Sequence, residues 1–105
     1  MRRYAESMAR ITESEARERL RTLPGWELDG EAIRRKFTFG DFPQAVSFVV
    51  RLAFVAESAD HHPDILVSYK RVTLTYSTHS EGGLTVKDFD GASAATALAV
   101  GMRAT

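Results

Sequence analysis

Residues 41–60 carry apolar side chains at helical spacing, while the stretches on either side of them alternate. Phe42, Ala45, Val46, Val49, Leu52, Ala53 and Ala56 recur with the helical period, and Phe48 and Val55 widen the stripe. Asp41 stands at an N-cap position, and Pro43 is tolerated in a first turn. A helix this apolar has more than one side to cover. One side is expected to pack on a sheet and another on something else, such as a second subunit.

The sheet is expected from two hairpins. Residues 26–39 read as the first, turning at Asp29-Gly30, with Trp26, Leu28, Ile33, Phe37 and Phe39 on one face and Arg35 interrupting it near an edge. Residues 65–69 and 72–79 read as the second. A tight turn at Lys70-Arg71 would pair Tyr69 with Val72, Val67 with Leu74 and Ile65 with Tyr76, sorting six apolar residues onto one face. Residues 12–23 read as a short helix stopped by Pro24-Gly25. Thr85 opens a last, alanine-rich helix with Asp88 at the capping-box position. Residues 1–11 read as a loose lead-in. The order α-ββ-α-ββ-α predicts an α+β fold: a four-stranded antiparallel sheet with three helices packed on one face. At 105 residues the chain reads as a single domain.

Fourteen basic and fourteen acidic residues cancel, so no strong field favours nucleic acid or an anionic membrane. The absence of cysteine excludes a disulfide framework and a thiolate metal site, and suits the cytoplasm. The first residues hold no apolar signal segment, and no apolar run approaches the roughly 20 residues of a membrane span.

All three histidines fall between Glu57 and Asp88. Continued past Asp64 and Ser77, the expected register brings His62 opposite His79. Glu57 and His61, four apart at the end of the long helix, can share a side. Imidazole has an ordinary pKa of roughly 6.5 and can both give and take a proton near neutrality. Such a cluster suits proton transfer. Blander readings stand beside it. His61-His62 before Pro63 is also how an exposed helix end looks, and Asp88 is explained by capping alone. Glu57 fits a solvated helix, Ser77 and Thr78 fit an ordinary strand, and Tyr69 fits the core. Three histidines can bind zinc, although this spacing matches no standard motif.

At Glu57, His61-His62-Pro63, Tyr69, His79 and Asp88 the sequence resembles the pterin-4a-carbinolamine dehydratase family. Leu23-Pro24-Gly25-Trp26, Phe37-Thr38-Phe39, Val72-Thr73-Leu74 and Gly82-Gly83-Leu84-Thr85 extend the likeness over roughly residues 11–100. The resemblance implies loss of water from a pterin 4a-carbinolamine, in tetrahydropterin recycling, with no metal and no cofactor. It implies His61 and His79 as the acid–base pair and His62 as a substrate-binding and charge-stabilising group. Glu57 and Pro63 would contact substrate, and Asp88 would support the His79 side. Ser77, Thr78, Ser80 and Glu81 would meet the pterin's amide edge through the backbone. Homodimers joined through their sheets, or homotetramers paired through helices, are also implied. So is an alternative role as a dimerisation or assembly module, such as a transcriptional coactivator.

Overall fold

The computed structural model describes residues 9–105; of the expected lead-in, residues 1–8 lie outside them. Helices α1 (Glu13–Leu20), α2 (Phe42–Ala59) and α3 (Val86–Gly101) and strands β1 (Glu27–Asp29), β2 (Ala32–Thr38), β3 (Asp64–Ser68) and β4 (Arg71–Tyr76) follow the expected α-ββ-α-ββ-α order. The sheet is antiparallel and ordered β1-β2-β4-β3, so each hairpin contributes one central and one edge strand.

Local chemistry sets the helix limits. Thr12 and Glu15 form a reciprocal capping box on α1. This helix ends three residues earlier than expected, its chain tightening through i to i−3 bonds up to Leu23 N–H on Leu20 O. Asp41 caps α2 by accepting from Gln44 N–H at 2.9 Å. Thr85 and Asp88 form the box that opens α3. Ahead of α1, Ile11 donates to Leu84 O at 2.7 Å and packs against the core.

The core fills the space between one face of the sheet and the helices. Ile33 and Phe37 of β2 and Val72, Leu74 and Tyr76 of β4 meet Ala45, Phe48 and Leu52 of α2 and Phe89, Ala92, Ala95 and Ala99 of α3. Phe48 is wedged between Phe39 at 4.9 Å and Phe37 at 5.6 Å. Each buried Val, Leu, Ile or Phe among these stabilises the fold by about 1.5–3 kcal/mol. Trp26 closes one end, its indole N–H donating to Thr96 Oγ1 at 2.8 Å. Arg35 stands just past the last β1–β2 pair, Glu27 with Arg34, where β2 is locally an edge. Its guanidinium lies 4.3 Å over the Phe37 ring and bonds Pro24 O.

Three expectations need correction. The first hairpin turns at Gly30-Glu31, one residue later than expected, because Asp29 pairs with Ala32 and Gly30 takes φ +62. The second turns at Tyr69-Lys70. Ser68 pairs with Arg71, Val67 with Val72 and Ile65 with Leu74, a register two residues away from the expected one. Tyr69 is therefore a turn residue at φ +55, 61 % exposed, and not part of the core. The long helix is also rotated. Its buried line is Ala45, Phe48, Leu52 and Ala56, whereas Phe42, Val46, Val50, Phe54 and Val55 face outward, Phe54 with 74 % exposure. Edge strand β3 leaves Ile65, Leu66 and Val67 partly exposed as well.

Candidate functional site

The end of α2, the end of β4 and the start of α3 converge, and the singled-out residues lie on them. Helix α2 stops because Asp60 turns left-handed at φ 52, ψ 42. Asp60 N–H bonds Glu57 O at 3.1 Å and His61 N–H bonds Ala56 O at 3.1 Å, the double closure of a Schellman end. Aspartate is one of the few side chains that tolerate this conformation. Pro63 biases His62 toward an extended backbone, and successive side chains on extended chain diverge. The two histidines accordingly meet different partners. His61 Nε2 lies 2.6 Å from Asp88 Oδ1, with the His61 side chain only 13 % exposed. His62 Nε2 lies 2.8 Å from Glu57 Oε1, with both side chains largely in solvent.

Asp88 is fully buried on the first turn of α3. Its Oδ2 accepts from Thr85 N–H at 2.9 Å and from Thr78 Oγ1 at 2.8 Å. Thr78 Oγ1 and Thr85 Oγ1 are themselves 2.9 Å apart. The cap explanation and the site explanation of Asp88 therefore hold together: one oxygen closes the helix end and the other faces an imidazole. The resemblance placed this carboxylate on the His79 side; here it holds His61.

Two residues that the sequence reading did not assign to the site complete the surroundings of His61. The Tyr76 ring stacks on the imidazole at 6.0 Å and 21°. Burial, and then the charge of Asp88, push the Tyr76 phenol up to about 12 from an ordinary 10.0. Tyr76 alternates with Val72 and Leu74 in the sequence, and it is core as well. Gly91 lies behind it. A Cβ at Gly91 would stand 2.5 Å from Tyr76 Cε1. In sequence it reads only as a weak point in a helix. Between α2 and α3 a cleft of about 290 Å³ opens onto this group, lined by Ala56, Ala59, His61, Tyr76, Gly91 and Ala94 among others. A cleft of about 350 Å³ near α1, lined by Ile11, Leu28 and Leu84, holds none of the histidines.

Both residues make testable demands. The native state favours the neutral Tyr76 phenol, so its contribution to stability is complete below pH 10 and is lost as pH rises toward 12. Phenolate absorbance should show a phenol that ionises only near pH 12, and Tyr76→Phe should remove that step. Gly91→Ala drives a methyl into the ring that stacks on His61. It should cost about 1–3 kcal/mol in denaturant unfolding, as core overpacking does.

The remaining predicted residues are spread around this centre. His79, Ser80 and Glu81 form an exposed 3₁₀ turn closed by Gly82 at φ 72. In the observed register position 62 falls opposite 77, so His62 and His79 are not the cross-strand pair expected. Glu57 takes His62 rather than His61. Ser77 Oγ donates to Glu31 O at 2.9 Å, and Pro63 is buried. The Thr78 backbone is used internally: its N–H donates to Gly83 O, and its carbonyl accepts from Glu81 and Gly83. Among the described residues no three His, Asp or Glu side chains form a group that could hold a metal ion. No helix among them is long and apolar enough to cross a membrane.

The sequence model of one family, Pterin 4 alpha carbinolamine dehydratase, matches residues 9–98. A Roseiflexus sp. protein named "Putative pterin-4-alpha-carbinolamine dehydratase" is 51 % identical over 81 residues, 77 % of this chain and 87 % of that one. A namesake in Acidobacterium capsulatum is 47 % identical over 91 residues, 87 % of this chain and 99 % of its own length. The crystal structure of a transcriptional coactivator/pterin dehydratase from Brucella melitensis superposes with a TM-score of 0.82 at 48 % identity, covering 86 % of this chain and 98 % of that one. A pterin dehydratase-like protein identified as a RuBisCO assembly factor in the alpha-carboxysome superposes at 0.59 with 24 % identity, over 70 % of this chain and 86 % of that one, a likeness of fold alone.

Proposed function

The chain belongs to the pterin-4a-carbinolamine dehydratase family, and on that premise we propose that it removes water from a pterin 4a-carbinolamine to give the quinonoid dihydropterin. The observation that carries this reading is the buried Asp88 carboxylate 2.6 Å from His61 Nε2. A carboxylate only accepts, so Nε2 carries the proton in the neutral imidazole, and the lone pair sits on Nδ1. Asp88 also stabilises the imidazolium formed when Nδ1 takes a proton. In the reaction the C4a–O bond breaks and the departing hydroxide acquires a proton to become water. The ring N5–H loses its proton, and the freed pair forms the C4a=N5 bond. His61 is the base for N5–H, and His79, exposed on its turn, supplies the proton to the hydroxyl. His62 with Glu57 binds substrate, beside Pro63, Ser77, Ser80 and Glu81. Thr78 belongs to the same segment and turns its side chain inward, to Asp88 and Thr85. The change is redox-neutral and calls for no cofactor. It fits cytoplasmic recycling of a tetrahydropterin. Stopped-flow absorbance on chemically generated 4a-carbinolamine tests the reading: catalytic amounts of protein should accelerate dehydration, and an unchanged spontaneous rate would sink it.

The outward line Val46, Val50 and Phe54 on α2 supports a homodimer or homotetramer, since an exposed apolar stripe of this kind marks an interaction surface. Val50→Lys with Phe54→Lys should reduce the mass measured by light scattering. An unaltered oligomer would show that the stripe is not its interface. The same stripe is what favours a second reading, an assembly or coactivator module like that named in the Brucella relative.

A further inference from the structure

We propose that Thr78 and Thr85 are positioning residues for His61. Their hydroxyls form a one-way proton-donor chain that fixes the Asp88 carboxylate and thereby sets the imidazole tautomer. The inference rests on the reading of His61 as the base and says what keeps that base in its working form.

A count of protons gives the direction. Thr78 Oγ1 lies 2.8 Å from Asp88 Oδ2 and 2.9 Å from Thr85 Oγ1. A hydroxyl has one proton, and the carboxylate can only accept, so the Thr78 proton goes to Asp88. Thr78 Oγ1 can then only accept from Thr85, whose own proton is thereby committed. Thr85 Oγ1 in turn accepts from Lys87 N–H at 3.3 Å. Each rotor has a single solution. Thr78, Thr85 and Asp88 are all buried, at 5 %, 0 % and 0 % exposure, so solvent is not at hand to replace a missing link. Asp88 Oδ2 is occupied twice, by Thr78 and by the Thr85 N–H, which leaves Oδ1 to His61.

The chain also joins two elements. Thr78 immediately precedes His79 and is pinned to Gly83 by an isolated β-bridge at the base of the His79 turn. Its hydroxyl therefore ties the backbone that carries one histidine to the carboxylate that orients another. His61 stands just before β3 and His79 just after β4, at the open end of one hairpin, and Thr78 sets their spacing through Asp88.

The test uses ¹⁵N NMR of the imidazoles together with steady-state rates across pH. In the wild-type protein neutral His61 should show a protonated Nε2 and a bare Nδ1; the opposite tautomer would overturn the proposal. Thr78→Val should mix the tautomers. It should also reduce kcat about 10–100-fold at unchanged KM, the loss typical when the outer partner of a working histidine is removed in metal sites. Thr78→Ser, which keeps the hydroxyl, should restore both readouts. A valine variant with wild-type tautomer and wild-type kcat would refute the role. Where Thr78→Val does not fold, the wild-type spectrum and Thr85→Val decide in the same way. If the wild type fails to dehydrate the carbinolamine, the reaction is lost while the NMR arm still judges the chain.

Discussion

Asp88→Ala is expected to destabilise the protein by about 3–5 kcal/mol, because it leaves several buried donors without an acceptor. Thr85 N–H, the Thr78 hydroxyl and His61 Nε2 would all lose their acceptor at once. A buried donor left unpaired costs about 1–3 kcal/mol, and the total is a large part of the roughly 5–15 kcal/mol that holds a domain together. The urea midpoint should fall with its slope unchanged. Asp88→Asn separates structure from chemistry. The amide can keep its oxygen toward Thr78 and Thr85, preserving most of the cap, and must then present its NH₂ to His61. Imidazole Nε2 becomes an acceptor and the proton moves to Nδ1, the nitrogen assigned as the base. The asparagine variant should fold nearly as well as the wild type and still lose most of its turnover. A folded Asp88→Asn protein with an unaltered rate would remove His61 Nδ1 from the reaction.

His61→Ala should lower kcat about 10²–10⁴-fold, the usual contribution of a positioned acid or base. Its effect on stability should be modest, because the imidazole borders the cleft between α2 and α3 and water can reach the space it leaves. His62→Ala makes the useful contrast. His62 and Glu57 are both largely exposed, and an exposed polar contact of this kind contributes about 0–1 kcal/mol. That variant should raise KM while largely sparing kcat. If the two single variants behave alike, adjacent histidines do not divide the work as proposed.

The layout of helices and strands could be read from the chain because each element carries its own period and its own punctuation. Thr12, Asp41 and Thr85 cap where capping chemistry puts them, and Trp26, Ile33, Phe37 and Phe39 are buried as their alternation requires. The register of the second hairpin escaped for a definable reason. Sorting apolar from polar residues detects a slip of one, which exchanges the faces, and is blind to a slip of two, which preserves them. The Tyr69 φ of +55 is one a bulky side chain rarely takes, so no residue preference points to Tyr69-Lys70 as the turn. The rotation of α2 was hidden because its apolar residues nearly surround it. Periodicity shows that such a helix is covered, not which side meets the sheet.

The site divides in the same manner. His61, His62, His79, Glu57 and Asp88 stand out in sequence as residue types suited to proton chemistry. Their pairing does not. Asp88 meets His61 through tertiary packing across 27 positions, and Glu57 selects His62 because the left-handed Asp60 redirects the chain between them. Tyr76 and Gly91 act through a close approach that only the packed structure brings about.

The left-handed turn at Asp60 has a further consequence. It places one kind of side chain at two consecutive positions in two unlike media, one against a buried carboxylate and one in water. With the roles proposed for the two histidines, substitutions at position 62 would adjust how tightly the surface holds a ligand without touching the carboxylate behind position 61. Affinity and turnover would then be separately adjustable by single-codon changes at neighbouring sites. A laboratory selection that varies residue 62 alone should move binding across a wide range while proton transfer stays in place.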